Sequence, residues 1–377
     1  MHVAMVTPLP PDCDRPRGGV EAVAICLVRA LVRLGVRVTV VRWGADEREP
    51  YRDAHLDCTV VPLRLRHPAT LANWLWTPRE LRRIVADVQP DVVHVQDIPE
   101  LGLGLARPRV LTVHGINPLD EWVKAGLRRY LTVPIMGLTF MRAVRTYDHV
   151  IAISPYSRQA VRFPRRTHVH EIANPVEDRF FEVTPSEDAR TVLAVGSLSK
   201  LKNTLGLVQA AGRVREAIPG VRFRIAGPWR AGASAYRRTV EGVCDRLDLH
   251  PTVDFLGPVD RAQQAAELAR AGCFVLPSFQ ENAPMVIAEA MAAGVPVAAS
   301  RVGGIPWMID EGRTGLLFDP DDPAQIAECL IRLLTDRELR KTLGQAVRDE
   351  ANRRFRADAV ARRTLEVYQQ AVERFRR

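Results

Sequence analysis

Several protein classes are argued against by what this sequence lacks. Its six cysteines (Cys13, Cys26, Cys58, Cys244, Cys273 and Cys329) are scattered over 377 residues with no C-x-x-C pair. That spacing speaks against a disulfide scaffold or a zinc ribbon and fits a reducing cytoplasm. Long apolar runs are missing. The longest uncharged stretch of interest, residues 130–141, covers 12 residues and contains Pro134, which is too short to span a bilayer as a helix. Met1 leads straight into a strand-like run, so no signal segment is expected. No G-x-G-x-x-G, G-x-x-x-x-G-K or G-x-S-x-G occurs; the dinucleotide fingerprint, the Walker loop and the hydrolase elbow are all absent. The arginines are spread along the chain rather than gathered into arms, and no groove-entering helix motif is present. Nucleic acid is therefore not an expected partner.

What is present begins with length and charge. A chain of 377 residues is too long for one ordinary core, and two domains are the natural expectation. The net charge of +9, carried mainly by arginine, fits an anionic partner such as a phosphorylated substrate or an anionic lipid. Apolar runs and amphipathic stretches alternate through both halves. Strands are expected at 2–7, 36–41, 58–62, 92–96, 110–113, 150–153 and 171–173. Helices are expected at 20–34 and over most of 71–88, where Pro78 is a candidate break. Residues 174–185, with two prolines and mixed charge, read as an interdomain linker. The second half restarts with strands at 191–195, 221–226, 253–256, 273–276 and 295–299. Its helices are expected at 204–218, 261–270, 284–293, 322–335 and 337–355, with a last helix at 357–375. Two such halves imply an α/β chain of two Rossmann-like, doubly wound parallel-sheet domains facing across a cleft. The N-terminal domain takes residues 1–177, joined by the C-terminal helix 358–377, and the second domain takes 178–357.

Residues 276–319 carry the strongest local signal. A buried strand ends at Leu276, a loop carries Glu281, Asn282, Ala283 and Pro284, and a helix follows. Proline suits a first helical position and Gly294 suits the stop. That helix is apolar nearly all round except for Glu289, and an apolar helix is a buried one. A buried lone carboxylate needs a partner, which points Glu289 toward a ligand. Glu281 lies where a parallel strand hands over to a helix, the place where ligands sit in doubly wound sheets.

Other groups fall at similar junctions. Lys202 closes the loop before the helix at 204, and a lysine beside free helix amides makes an anion pocket, though an isolated lysine is ordinary surface. Gly18 and Gly19 precede the first long helix, where glycine lets backbone approach a phosphate. His114 follows an apolar strand and precedes Gly115; a strand-end polar group faces the ligand crevice, although a lone histidine is more often structural. Residues 122–145 mix Trp122, leucines and Ile135 with Lys124, Arg128, Arg129, Arg142 and Arg145. Basic-faced helices on the sheet and a helix lying on an anionic membrane surface both use that composition.

The stretch 276–319 resembles the C-terminal signature of the family 4 retaining glycosyltransferases. The resemblance rests on Glu281 and Glu289 with seven residues between them, the alanine-rich helix, Gly294-Val295-Pro296-Val297, Gly303–Gly304 and Thr314-Gly315-Leu316-Leu317-Phe318. Gly18-Gly19-Val20-Glu21, Thr112-Val113-His114-Gly115, residues 153–158 and Lys202–Asn203 follow in the family's order, so the likeness covers nearly the whole chain. It implies a GT-B fold and a retaining transfer of sugar from a nucleotide-diphosphate sugar to the hydroxyl of a glycan, lipid or small molecule. It implies Lys202, Glu281 and His114 as catalytic residues. Gly18, Gly19, Ser197, Gly227, Val259, Asn282, Ala283, Met285, Val286 and Glu289 would bind the donor. Within that set Lys202 would neutralise the diphosphate, Glu281 hold sugar hydroxyls, Glu289 the ribose and Val259 the base. His114 and Asn117 would lie on the acceptor side. No cofactor and no metal are implied. Asp12-Cys13-Asp14 and Asp319-Pro320-Asp321 have the D-x-D spacing of a different glycosyltransferase fold, but neither follows a strand in the right context. His168-x-His170 reads as strand alternation.

Three positions depart from the family's pattern. Ser197 stands where an arginine is usual, so a bidentate diphosphate partner is missing; Arg17, Lys200 or Arg230 are candidates to replace it. Pro284 removes an amide near the helix start. Trp307 stands where glutamate is common. A sugar-nucleotide epimerase or hydrolase, and a non-catalytic nucleotide-sugar-binding protein, are the alternative readings. A cytoplasmic location, with peripheral contact at the inner face of a membrane, is expected.

Overall fold

The computed structural model describes residues 1–43, 49–64, 71–115, 129–185 and 190–377. The chain divides into two compact units, Met1–Pro175 with Ala357–Arg377, and Val176–Arg356.

The first unit is built on an eight-stranded sheet. Its strands are β1 His2–Thr7, β2 Arg37–Trp43, β3 Tyr51–Asp53, β4 Cys58–Leu63, β5 Val92–Gln96, β6 Arg109–Val113, β7 His149–Ala152 and β8 His168–Glu171. They lie in the order β3-β4-β2-β1-β5-β6-β7-β8. Every pairing is parallel except β3 with β4, which is antiparallel at the edge. Strand β1 is buried over all but its first residue, as a central parallel strand covered on both faces must be. The order turns at β1: Val3 is level with Val38 of β2 on one side and Val92 of β5 on the other. The helices are α1 Gly19–Arg33, α2 Leu71–Val88, α3 Arg129–Val144 and α4 Pro155–Ala160. Pro78 lies inside an unbroken α2, so the expected break does not occur there.

The second unit has a six-stranded, all-parallel sheet in the order β11-β10-β9-β12-β13-β14. Its strands are β9 Thr191–Val195, β10 Arg222–Ala226, β11 Val253–Gly257, β12 Cys273–Leu276, β13 Val297–Ser300 and β14 Leu316–Phe318. Its helices are α5 Asp178–Phe181, α6 Thr204–Ala217, α7 Ser234–Arg246, α8 Arg261–Arg270, α9 Met285–Ala292, α10 Pro323–Thr335 and α11 Arg337–Arg354. The last helix, α12 Ala357–Arg376, belongs to the first unit, where Val360, Ala361, Val367 and Tyr368 join the core with Ile25 and Val28 of α1.

Several expected elements shift for local reasons. Strand β13 starts at Val297 instead of 295, because the Val295 amide is used to close α9 on the Ala290 carbonyl at 3.0 Å and Pro296 has no amide. Strand β8 runs over 168–171, level with β7 from His149 to Ala152. Segment 174–185 is no open linker: α5 lies within it, Phe180 is fully buried, and Arg348 donates to the carbonyls of Phe181 and Val183. Helix α7 has no counterpart in the sequence reading. It is arginine-rich and buries only Val240, Val243 and Cys244, so its apolar stripe is narrow.

Candidate active site

In the second unit glycines mark the ends of three neighbouring strands: Gly196 follows β9, Gly227 follows β10 and Gly257 is the last residue of β11. The Gly196 amide donates to Ala226 O at 2.9 Å, and the Gly227 amide to Gly257 O at 2.7 Å. Gly227 has φ +136°, and a Cβ there would come within 2.0 Å of Gly196 O. The chain itself therefore requires glycine at 227, whatever ligand lies above it. This ledge sits beside β9, where the strand order turns and a ligand crevice opens in such sheets.

The loop after β9 carries Ser197 and Lys202 and ends at Asn203. Asn203 holds a left-handed φ of 51°, and its side-chain oxygen accepts from Gly206 N at 3.1 Å, capping α6. Its amide nitrogen donates to Pro320 O at 2.7 Å. So fixed, the loop directs Lys202 Nζ onto Glu281 Oε1, with which it forms an ion pair. Glu281 arrives from the loop after β12. That loop is tied to the first by Phe279 N donating to Leu201 O, 2.9 Å. It is braced from below by Gly303 and Gly304: Gly304 N donates to Glu281 O at 3.0 Å, and a Cβ on Gly303 would lie 1.9 Å from that oxygen. The Gly-Gly pair after β13 is thus a close-approach device.

Pro284 is the N-cap of α9 and not its first helical residue, with φ −65° and ψ 119°. Its carbonyl receives the amides of Ile287 and Ala288. The Met285 and Val286 amides are the ones left over at the helix start, so the proline's missing N–H falls before the first turn and does not thin it. Asn282 and Ala283 are half-buried on the same loop, and Val259 is half-buried between β11 and α8.

Glu289 is buried, as expected, but the chain supplies its partners. Arg261 Nη1 donates to Oε1 at 2.8 Å and Gln264 Nε2 to Oε2 at 2.5 Å. Arg261 Nε also donates to Glu177 Oε1 at 3.0 Å, and its guanidinium lies 4.5 Å over Phe180. Burial opposes the charge on Arg261, but Glu289 and Glu177 more than offset it and raise its pKa. Burial of a lone acid on α9 does not by itself require a ligand, because a guanidinium from α8 partners it. Arg261, Gln264 and Glu177 were not legible as site residues. The one available signal was a capped helix start, Asp260 before Arg261, opposite an apolar helix with a single acid.

Ser197 has Arg230 close by: the Arg230 amide donates to Leu198 O at 3.2 Å and the Leu198 amide to Pro228 O at 2.9 Å. Lys200 is exposed on the same loop.

In the first unit the loop after the switch strand β1 leads to Gly18, the N-cap of α1. Its φ of −169° suits any residue, and a Cβ there would meet nothing within 4 Å. Among the described residues nothing demands glycine at 18. Arg17 is engaged with the carboxylate of Glu21, by its amide at 2.6 Å and its guanidinium at 3.0 Å. His114 follows β6, is buried, and has its Nε2 2.7 Å from Gln96 Oε1. Burial lowers its pKa to about 4. Asn117, Trp122, Lys124 and Arg128 lie outside the described residues. His168 and His170 alternate on β8 as expected, and His168 Nε2 lies 2.6 Å from Arg374 Nη1. The Asp12 carboxylate caps the Asp14 amide and that of Asp319 caps Asp321.

Comparison with known proteins agrees with this layout. A family model described as "Glycosyl transferases group 1" matches residues 176–350, and one described as "Glycosyltransferase Family 4" matches residues 17–180. A D-inositol 3-phosphate glycosyltransferase from Corynebacterium efficiens is 35% identical over 187 residues, 49% of this chain and 43% of the relative. An exopolysaccharide phosphotransferase from Streptomyces coelicolor is 29% identical over 367 residues, 91% of this chain and 36% of the relative. The chain thus spans well under half the length of either. Among solved structures, sucrose-phosphate synthase from Thermosynechococcus elongatus superposes with a TM-score of 0.83 at 23% identity, covering 98% of both chains. The Anabaena protein HepE in complex with UDP-glucose gives 0.74 at 21%, covering 99% of both. The fold is that of the GT-B glycosyltransferases. The two family matches run end to end from residue 17 to residue 350, one over each sheet, and the chain belongs to the group 1, family 4 glycosyltransferases.

Proposed function

We propose that this protein transfers a sugar, with retention of configuration, from a nucleotide-diphosphate sugar to an acceptor hydroxyl. The observation that carries the reading is the Lys202–Glu281 ion pair, held at the strand ends beside the free amides of α9. HepE bound to UDP-glucose supports a nucleotide sugar as the donor class. When the diphosphate enters, it competes for Lys202. The ammonium and the amides of Met285 and Val286 then meet its charge as the glycosidic bond breaks. Glu281, released, accepts from hydroxyls of the transferred sugar, with Asn282 and Ala283 beside it. Backbone at Val259 holds the base. Glu289, oriented by Arg261 and Gln264, accepts from the ribose. Gly18 and Gly19 leave room for the diphosphate, and Gly227 forms the floor beneath it. The acceptor belongs to the first unit, with His114 beside its hydroxyl. Among the described residues no side chain is assigned as a covalent nucleophile, and in this reading the acceptor hydroxyl attacks from the face the diphosphate leaves, its proton passing to the departing phosphate oxygen. The charge is met by protein groups without a resident metal; turnover that persists in chelator supports this, and turnover abolished by it and restored by Mg²⁺ overturns it.

A panel of nucleotide sugars assayed with acceptor extracts tests the reading. Lys202→Ala and Glu281→Ala should each lower kcat by about 10²–10³-fold. Unchanged turnover in both sinks the role assignment. Free or epimerised sugar formed rapidly without acceptor would point to a hydrolase or epimerase instead.

Peripheral contact with an anionic membrane is proposed from α3. Its exposed side carries Ile135 and Leu138, each 65% exposed, with Arg142 on the same side and Arg145 just past the helix end. Co-sedimentation with anionic vesicles at low salt, lost in Ile135→Ser/Leu138→Ser, is the expected result. No sedimentation of the parent protein removes the idea.

A further inference from the structure

The surroundings of His114 fix more than its position. Gln96 ends β5, is fully buried, and lies one strand over from His114. Its two amide atoms have different neighbours: Oε1 is 2.7 Å from His114 Nε2, and Nε2 donates to Met5 Sδ at 3.1 Å. A thioether sulfur can only accept. Turning the amide over would set Oε1 against that sulfur with no proton between them. The amide therefore has one satisfied orientation, and in it Gln96 Oε1 can only accept from His114. Gln96 therefore calls for the proton on His114 Nε2. The backbone on either side is also pinned. The Asp97 amide donates to Thr112 O at 3.0 Å, and the Asp97 carboxylate accepts the Gly115 amide at 3.0 Å.

We propose that Gln96 is a positioning residue that holds the His114 proton on Nε2 and so fixes the orientation in which the imidazole meets the acceptor or the transferred sugar. This rests on the assignment of His114 to the transfer site made above. The titratable groups facing it are His94, two residues before Gln96 on β5, and Asp97 beside it. His94 is itself buried, between Tyr368 Oη at 2.6 Å and Thr112 Oγ1 at 2.7 Å, and stays neutral. With both ring nitrogens so engaged, His94 does not compete with Gln96 for the His114 Nε2 proton.

The protein labelled with ¹⁵N-histidine reads the tautomer directly from its two-bond proton–nitrogen correlations, with His114 assigned by its loss in His114→Asn. The wild type should show the Nε2–H form from pH 5.5 to 8. Gln96→Leu should leave a mixture of tautomers, with the other histidine signals unmoved, and lower transfer about tenfold to a hundredfold. Gln96→Glu should keep the Nε2–H form and recover much of the rate. Its carboxylate also favours the imidazolium, so a new ionisation of His114 should enter the pH–rate profile. An Nδ1–H form in the wild type, or a Gln96→Leu variant with unchanged tautomer and pH profile, overturns the proposal. If the tautomer shifts in Gln96→Leu while transfer is unaffected, the lock is upheld and the role of His114 in transfer falls instead.

Discussion

Arg261 Nη1 donates to Glu289 Oε1 at 2.8 Å with both side chains buried, so a charge on α8 neutralises the one acid of an otherwise apolar α9. Removing the cation leaves two carboxylates, Glu289 and Glu177, without it in a low-dielectric setting. Arg261→Ala should therefore destabilise the second unit by about 3–5 kcal/mol in denaturant unfolding. Lysine at 261 supplies charge but not the fork that reaches both acids, and should recover only part of that loss. An alanine variant as stable as the parent would remove the structural importance of the network.

Glycines in the two units should respond oppositely to alanine. Gly227→Ala places a methyl 2.0 Å from the Gly196 carbonyl at a φ of +136°, and Gly303→Ala places one 1.9 Å from Glu281 O. Each should cost about 2–4 kcal/mol. Gly18→Ala meets nothing within 4 Å and should change stability by less than about 0.5 kcal/mol. If Gly18 is where a diphosphate approaches, the same methyl should raise the donor KM. Thermal unfolding and donor kinetics on the three variants separate internal packing from ligand space. A Gly18→Ala enzyme with unaltered KM would take the first glycine loop out of the donor site.

Ser197 offers a gain-of-function test. Arginine at this position adds a fork suited to a diphosphate oxygen pair. Ser197→Arg should lower the donor KM about tenfold, with Arg230→Ala showing a larger effect in the parent than in Ser197→Arg, because Arg230 starts next to the same loop. Equal KM values in parent and Ser197→Arg would mean that this loop does not meet the diphosphate.

Acid should weaken the first unit. His94 is fully buried and His114 nearly so, and burial lowers their pKa from 6.5 to about 3 and about 4. Between those values and 6.5 the unfolded chain binds protons that the folded one does not. Their contribution is fully present above pH 6.5 and is lost as pH falls below it, at about 1.4 kcal/mol per pH unit for each group. His149 is lowered to about 4 as well, while burial raises Glu100 to about 7 and opposes the trend, so the test is a difference. Urea unfolding from pH 7.5 to 4.5 should give a slope smaller by about 1.4 kcal/mol per pH unit below pH 6.5 in His94→Gln than in the parent. Equal slopes would mean that His94 takes up a proton in the native fold.

The sequence by itself determined the elements and the order in which they come. Alternating apolar runs, helix-stopping glycines such as Gly294, and the Glu281 to Gly304 signature are local patterns, and they placed Lys202, Glu281 and His114 at strand ends before any coordinates. Short or narrowly apolar elements such as β3 and α7 escaped because they bury too few residues to leave a period. Only the tertiary structure decided which side chains meet. Lys202 and Glu281 are 79 residues apart, Arg261 and Glu289 28 apart, and His114 and Gln96 18 apart. No local pattern encodes those pairs, because each depends on which strands lie side by side. In the second unit β9 beside β12 brings Lys202 to Glu281, and in the first unit β5 beside β6 brings Gln96 to His114. The partner of Glu289 was hidden for the same reason: it is a charge on another helix, and a buried acid looks identical in sequence with or without an arginine beside it.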